Sequence, residues 1–153
     1  MSEEPKKPLD FDPTEPLHQF QAFFEEPGED AAAPEEVRVE RLQATPLDEG
    51  RLLEIEIHLT PFRFRPHVVV MLSDAEGTEV ASADFIEPML PHLSFTLHIP
   101  PPHRGQYTLS VEVFYPTPEH MPKTPAEQRM SRGELKPLPP MRVVARAEQT
   151  VTL

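Results

Sequence analysis

Seven histidines are the residues of this chain best suited to metal binding. His92 and His98 fall on the outward face of one predicted strand, but a spacing of six residues is too wide for direct chelation of one ion. His58 could approach His98 from a neighbouring strand and form a surface histidine pair. No cysteine accompanies them, and no supporting carboxylate pattern can be read around them. We therefore predict no metal site and no cofactor.

Nucleophilic and phosphate-binding motifs are also missing from the sequence. Ser110 lies on the outward face of a predicted strand with no base within sequence reach. The carboxylates of Glu54 and Glu56 alternate along a solvated strand face, which gives no reason for a raised pKa. The five glycines are scattered singly, at positions 28, 50, 77, 105 and 133. We predict that the chain is not an enzyme; a deep pocket lined by histidines and carboxylates would revive that alternative.

Acidic residues dominate the charge of the chain, and they are concentrated near its start. The formal net charge is −12, and residues 1–36 carry eleven acidic side chains against Lys6 and Lys7, a net −9. Residues 37–153 therefore hold only −3. An acidic chain repels phosphate backbones and anionic lipids, so we expect neither nucleic acid nor a membrane as a partner.

Composition also bears on the compartment and the source. Without cysteine no disulfide can form, no apolar stretch follows the first residues, and no apolar run approaches the roughly 20 residues that span a bilayer. We expect a soluble cytoplasmic protein. The absence of asparagine and tryptophan, the excess of arginine over lysine and the 21 prolines are typical of a thermophile, although a GC-rich genome would give a similar bias.

Residues 1–36 form an acidic, proline-rich tail that is predicted to be largely disordered or docked on the domain. One apolar island, residues 17–24, interrupts the tail. Leu17, Phe20 and Phe24 would share one face of a two-turn helix, and Phe23 adds a further aromatic ring. The island is typical of a segment that folds on binding a partner, or of one that covers an apolar patch of its own domain.

From Val37 onward the sequence alternates between apolar and polar residues with a period of two. This alternation predicts β-strands with one buried face. It is clearest in residues 104–116, where Tyr107 and every second residue after it are apolar, with Gly105 before the strand and Pro116 at its end. The candidate strands are 37–44, 51–60, 68–73, 78–86, 92–99, 106–116 and 141–153.

The entry Gly105-x-Tyr107-x-Leu109-x-Val111 resembles strand F of immunoglobulin-like sandwiches. The resemblance implies a tyrosine corner, in which the Tyr107 hydroxyl bonds back to upstream backbone. Leu109 stands where antibody-type domains have a cysteine, and the chain has no tryptophan, which excludes the antibody type. A generic immunoglobulin-like or fibronectin-III-like domain remains. We therefore predict an all-β fold: a seven-stranded, Ig-like antiparallel β-sandwich of residues 37–153, preceded by the acidic N-terminal tail.

In an Ig-like topology three of the loops, residues 61–66, 87–91 and 116–140, gather at one end of the domain. They combine rigid prolines with apolar and arginine side chains, as protein interfaces do. The longest loop contains a helix signal, with Thr124 as N-cap, Glu127 as its capping partner and Gly133 as the stop. The candidate interaction residues here are Phe62, Arg63, Phe64, Arg65, Met89, Leu90, Met121 and Arg129. Alternatively, the phenylalanines simply close the core and the arginines solvate it.

These features favour a non-catalytic protein-interaction or assembly module that binds a protein partner or associates with itself. The acidic tail could dock on the arginine-bearing loops of its own or a neighbouring chain. A structural subunit of a larger particle would share these features. A small-ligand or carbohydrate-binding sandwich is the alternative, for which exposed aromatic rings would be needed; Phe114 and Phe85 are the candidates.

Overall fold

The computed structural model describes residues 31–130 and 138–153, without the side chains of residues 129 and 130. It contains seven strands and one short helix, α1 (Pro125–Met130). Single 3₁₀ turns lie at Pro34–Glu36, Asp48–Gly50 and Pro118–His120. The strands are β1 (Val39–Leu47), β2 (Leu52–Leu59), β3 (His67–Ser73), β4 (Glu79–Ile86), β5 (His92–His98), β6 (Gln106–Pro116) and β7 (Met141–Thr152). The seven predicted strands and the all-β class are confirmed.

The strands form two antiparallel sheets. One has three strands in the order β1-β2-β5, and the other has four in the order β4-β3-β6-β7. β1 continues through Pro46, beyond its predicted end, because it is an edge strand and a proline there removes no ladder bond that the sheet needs. The hairpin between β3 and β4 turns at Gly77, which adopts a positive φ of 84°.

The two sheets share one hydrophobic core, so the fold is sandwich-like. The alternating apolar residues of β2, β3 and β6 point inward and are almost completely inaccessible to solvent. Phe85 of β4 and Phe95 of β5 meet with ring centroids 4.8 Å apart and tie together one pair of facing edges. The fully buried side chains include Leu53, Ile55, Ile57, Val68, Val70, Leu72, Leu109, Val111, Val113 and Tyr115. The alternation of apolar and polar residues along the sequence therefore predicted the buried faces of these strands correctly.

Residues 31–36 pack against the sheets. Ala32 forms a parallel bridge with Phe62, in which the Ala32 N–H donates to the Pro61 carbonyl at 2.8 Å and the Arg63 N–H donates to the Ala32 carbonyl at 3.0 Å. Glu35 pairs with Arg142 of β7 at 3.1 Å. This part of the predicted tail is therefore integrated into the folded body, and the rest of it, residues 1–30, lies outside the described residues.

The helix signal in the long loop is confirmed at its start. The Glu127 N–H donates to the Thr124 hydroxyl at 3.0 Å, and the Glu127 carboxylate accepts from the backbone N–H of Lys123. The reciprocal bond of this cap therefore reaches one residue further back than a standard capping box. Gly133, the predicted stop, lies outside the described residues.

Candidate functional site at the loop end

The structure brings together the described parts of the three predicted loops, and backbone hydrogen bonds hold two of them. The Glu87 N–H donates to the Pro66 carbonyl at 3.0 Å, which joins the β4–β5 loop to the β2–β3 loop. The Leu59 N–H donates to the Pro91 carbonyl at 2.9 Å. We call this side of the molecule the loop end. Its backbone is fixed by the fold, so side chains displayed there are presented in a defined arrangement.

Gln128 of α1 connects the long loop to the β2–β3 loop. Its side-chain oxygen accepts from the Arg65 N–H at 2.8 Å, and its side-chain nitrogen donates to the Arg65 carbonyl at 2.9 Å. Both residues are buried. Gln128 was not predicted from the sequence, because nothing in a helix pattern indicates which distant backbone a glutamine will meet.

A tyrosine bond to upstream backbone is present, but Tyr115 makes it instead of Tyr107. The Tyr115 hydroxyl donates to the Phe64 carbonyl at 2.6 Å. Within the described residues the Tyr107 hydroxyl has no hydrogen-bond partner, although its ring is buried. The predicted role of Tyr107 was wrong: both residues point inward on β6, but only Tyr115, at the end of that strand, lies beside the β2–β3 loop.

Titration at the loop end is shaped by burial and by one ion pair. Burial raises the pKa of the Tyr115 hydroxyl far above its ordinary value, and the nearby Glu35 carboxylate raises it further. A backbone N–H at Glu35 and the Arg142 guanidinium lower the pKa of the Glu35 carboxyl. Both shifts favour the charge states that these residues carry at neutral pH.

The candidate interaction residues fall into two groups. Phe62 belongs to the core, and Phe64 and Met121 are partly buried against it, so these three close the core at the loop end. Arg65 is buried. The Arg63 guanidinium donates to the Ala31 carbonyl at 3.4 Å. Met89 and Leu90 are the exposed apolar members of the set, and Arg63 is exposed as well. Arg129 has no described side chain, and Leu17, Phe20, Phe23 and Phe24 lie outside the described residues.

Exposed apolar side chains concentrate at the loop end. Ile86, on one edge of the four-stranded sheet, is 55% exposed, and Leu90 in the following loop is 53% exposed. Val143, on the other edge of that sheet, is 44% exposed. Strand register joins these edges, because Ile86 lies opposite His67, His67 opposite Phe114, and Phe114 opposite Val143. We call the exposed set the apolar rim; it comprises Ile86, Met89, Leu90, Leu138 and Val143.

Three members of this rim were not predicted from the sequence. Ile86 and Val143 lie near the ends of strands. The alternation of apolar residues does not reveal whether another strand covers such positions. Leu138 belongs to the proline-rich approach to β7, which was considered only as part of a long loop. The signal available in the sequence was their nearness to the predicted loop end.

The two aromatic candidates for carbohydrate binding face different ways. Phe85 points between the sheets, where it packs against Phe95. Phe114 lies on the outer face of the four-stranded sheet, half-buried, with its ring edge-on to His67 at a centroid distance of 6.1 Å. The predicted pair of outward rings is therefore reduced to Phe114.

The histidines are arranged differently from the prediction. β2 and β5 are neighbours, as the pair required, but the register places His58 opposite His92, and His98 opposite Leu52. The His58 and His92 rings stack with centroids 4.1 Å apart. Glu56 lies beside them on the same face, and one ligand atom from each of the three residues lies within 4.8 Å of the others.

A cavity of about 660 Å³ lies at the opposite end of the molecule. Its lining includes Arg51, His103 and Arg104 beside the last residues of β7. Arg51 is engaged by the carboxylates of Asp48, at 3.4 Å, and Glu49, at 3.9 Å. Among the described residues, Glu49 is the only acidic side chain and His103 the only histidine in this lining.

Comparison with known proteins does not assign a family. No protein-family model and no curated protein matches the chain. The β-glucuronidase of Bifidobacterium dentium, solved with coumarin-3-O-glucuronide, aligns with a TM-score of 0.44 and 15% identity over 76% of this chain and 18% of the enzyme. The β-glucuronidase of Ruminococcus gnavus, solved with uronic isofagomine, aligns with a TM-score of 0.39 and 13% identity over 77% of this chain and 15% of the enzyme.

The chain thus spans less than a fifth of the length of these enzymes. With TM-scores below 0.5, the similarities carry no argument about activity or substrate. Across residues 31–130 and 138–153, no helix has the length and apolar character needed to cross a membrane.

Proposed function

We propose that this chain is a non-catalytic protein-interaction or assembly module with an Ig-like fold, and that its loop end binds a protein partner or a second copy. The strand order supports the fold assignment, since β2 pairs with β5 and β3 pairs with β6. β4 pairs with β3, whereas in constant-type Ig domains the fourth strand joins the sheet of the first. The fold in this proposal is therefore an Ig-like variant distinct from the constant type.

The observation that carries the function is the apolar rim. Large apolar side chains that are about half exposed and grouped at one end of a domain are typical of interaction sites. Met89 and Leu90 of the rim stand on the β4–β5 loop, which the Glu87 hydrogen bond joins to the β2–β3 loop. The Gln128 and Tyr115 hydrogen bonds hold the β2–β3 loop in place. A partner would meet a surface that needs little ordering on binding, and this preorganisation favours affinity.

The N-terminal region contributes to the same surface in this proposal. Ala31 and Ala32 are held against residues 61–63, at the loop end. Residues 17–24 carry the apolar side chains Leu17, Phe20, Phe23 and Phe24 among acidic neighbours. We expect this segment to act together with the apolar rim as a second contact for the partner.

Self-association can be tested with two substitutions of one residue type. Leu90→Glu places a charge on the apolar rim. Leu47→Glu places the same charge on an exposed leucine, 41% accessible, at the end of β1 that lies away from the loop end. If the partner is a second copy, sedimentation velocity will show a concentration-dependent oligomer that Leu90→Glu dissociates and Leu47→Glu preserves. An oligomer unaffected by Leu90→Glu would contradict an interface at the rim.

A further inference from the structure

Two histidines and a glutamate converge on the outer face of the three-stranded sheet, away from the loop end. His58 and Glu56 are two residues apart on β2 and therefore project from the same face. His92 lies directly opposite His58 on β5, across an antiparallel pair whose register is set by the backbone ladder. Three potential ligand atoms are thus positioned by two hydrogen-bonded strands.

We propose that Glu56, His58 and His92 form a binding site for a single Zn²⁺ ion. Zinc takes histidine nitrogen and carboxylate oxygen at about 2.0–2.2 Å, which puts tetrahedral ligand atoms about 3.3–3.6 Å apart. The three ligand atoms lie within 4.8 Å of one another, so side-chain rotation would have to shorten the widest separation by up to about 1.5 Å. Two histidines and one carboxylate also form one of the ligand sets of three-ligand zinc sites.

The three side chains are available to rotate. Within the described residues, none of them has a hydrogen-bond or ion-pair partner; the only specific contact is the stack of the two imidazole rings. Glu56 and His58 are partly buried and His92 is exposed. Solvent can therefore reach the ion and fill the remaining coordination position.

The electrostatic surroundings include one opposing charge. Arg41 of β1 lies opposite His58 on the same outer face, and its guanidinium donates to the Gln43 side-chain oxygen at 2.7 Å. A cation beside the site disfavours a second cation, whereas the Glu56 carboxylate favours it. Replacing Arg41 should therefore tighten zinc binding, and replacing Glu56 should weaken it.

Zinc bound here would cross-link β2 and β5. β5 is an edge strand of the three-stranded sheet, and its pairing with β2 joins residues that are distant in the sequence. An ion that binds the folded arrangement stabilises it by mass action. Because the donors are imidazole and carboxylate, Ni²⁺ and Cu²⁺ should also bind, whereas Mg²⁺, which prefers oxygen ligands, should not.

The test is calorimetric titration of the full chain with zinc chloride, beside His58→Gln, His92→Gln, Glu56→Gln and His98→Gln. His98 is the matched control: it has the same residue type and lies on the same strand face, six residues or about 20 Å from His92. We expect one zinc per chain for the wild type and for His98→Gln. Loss of either His58 or His92 should weaken binding by more than about 100-fold, since even outer-shell substitutions cost roughly 10- to 100-fold.

Thermal unfolding provides a second readout, because the substituted side chains have few contacts and the metal-free variants should melt like the wild type. Zinc should raise the melting temperature of the wild type and of His98→Gln but not that of His92→Gln. Arg41→Gln should bind zinc more tightly than the wild type. The proposal is overturned if the wild type does not bind zinc, if His92→Gln binds it equally well, or if His98→Gln loses binding to the same extent.

Discussion

The side-chain amide of Gln128 satisfies both backbone polar groups of Arg65, at 2.8 and 2.9 Å. A side chain on α1 thus does for the β2–β3 loop what a neighbouring strand does inside a sheet. Because both residues are buried, water cannot easily replace these bonds. This pair joins the two loops that frame the candidate surface, so the stability of the loop end should depend on it.

Gln128→Ala should lower the free energy of unfolding by about 1–3 kcal/mol, the range for leaving buried polar groups without partners. Gln106→Ala is the control, since Gln106 is exposed at the start of β6 and should change stability by less than about 0.5 kcal/mol. Urea denaturation midpoints of the two variants measure the difference. Equal midpoints would show that the Arg65 backbone does not depend on this amide.

The two tyrosines of β6 provide a matched pair of hydroxyl deletions. Tyr115→Phe removes the donor to the Phe64 carbonyl and should cost roughly 1 kcal/mol or more of stability. Tyr107→Phe removes a hydroxyl with no partner among the described residues and should change stability by less than about 0.5 kcal/mol. Denaturation of both variants under the same conditions compares them directly. A larger loss in Tyr107→Phe would reverse the assignment.

The raised pKa of Tyr115 predicts a specific dependence of stability on pH. Below about pH 10, the ordinary tyrosine pKa, folded and unfolded chains both keep this proton. Above that pH the unfolded chain releases it while the folded chain, whose pKa is higher, retains it, so stability falls as pH rises. Unfolding midpoints of the wild type and Tyr115→Phe, measured from pH 8 upward, should converge as the wild type loses stability. Parallel curves would contradict the shift.

The contacts of residues 31–36 predict where the chain can be shortened. Removal of residues 1–36 also breaks the Ala32 bridge, whose two backbone hydrogen bonds are together worth about 2 kcal/mol. A chain that begins at residue 31 keeps this bridge and should be the more stable of the two by at least that amount. Melting curves of both truncated chains decide the matter. Indistinguishable curves would mean that the bridge contributes little.

Features that depend on residues close together in the chain could be predicted from the sequence. Alternation along single strands is local, so it predicted the inward faces of β2 and β6 and the class of the fold. The start of α1 was also predictable, because the Thr124 cap acts within one helical turn. Each of these features depends on residues that are close together in the chain.

Pairings between distant elements were not predictable in the same way. His58 lies opposite His92 because of a register that the whole β2–β5 ladder sets. The Tyr115 hydroxyl, and not that of Tyr107, donates to upstream backbone because Tyr115 stands at the end of β6 that faces the β2–β3 loop. Ile86 and Val143 are exposed because they lie on the outer face of the four-stranded sheet and on its two edge strands, and a single sequence does not reveal the strand order.

The central claim, that the apolar rim binds a protein partner, is tested most directly by affinity capture from the native host. Wild type, Leu90→Glu and Leu47→Glu would serve as baits of full length, with bound proteins quantified by mass spectrometry. We predict a partner, or added copies of this chain, that the wild type and Leu47→Glu retain and Leu90→Glu loses. Retention by all three baits, or no specific partner for the wild type, would contradict the claim.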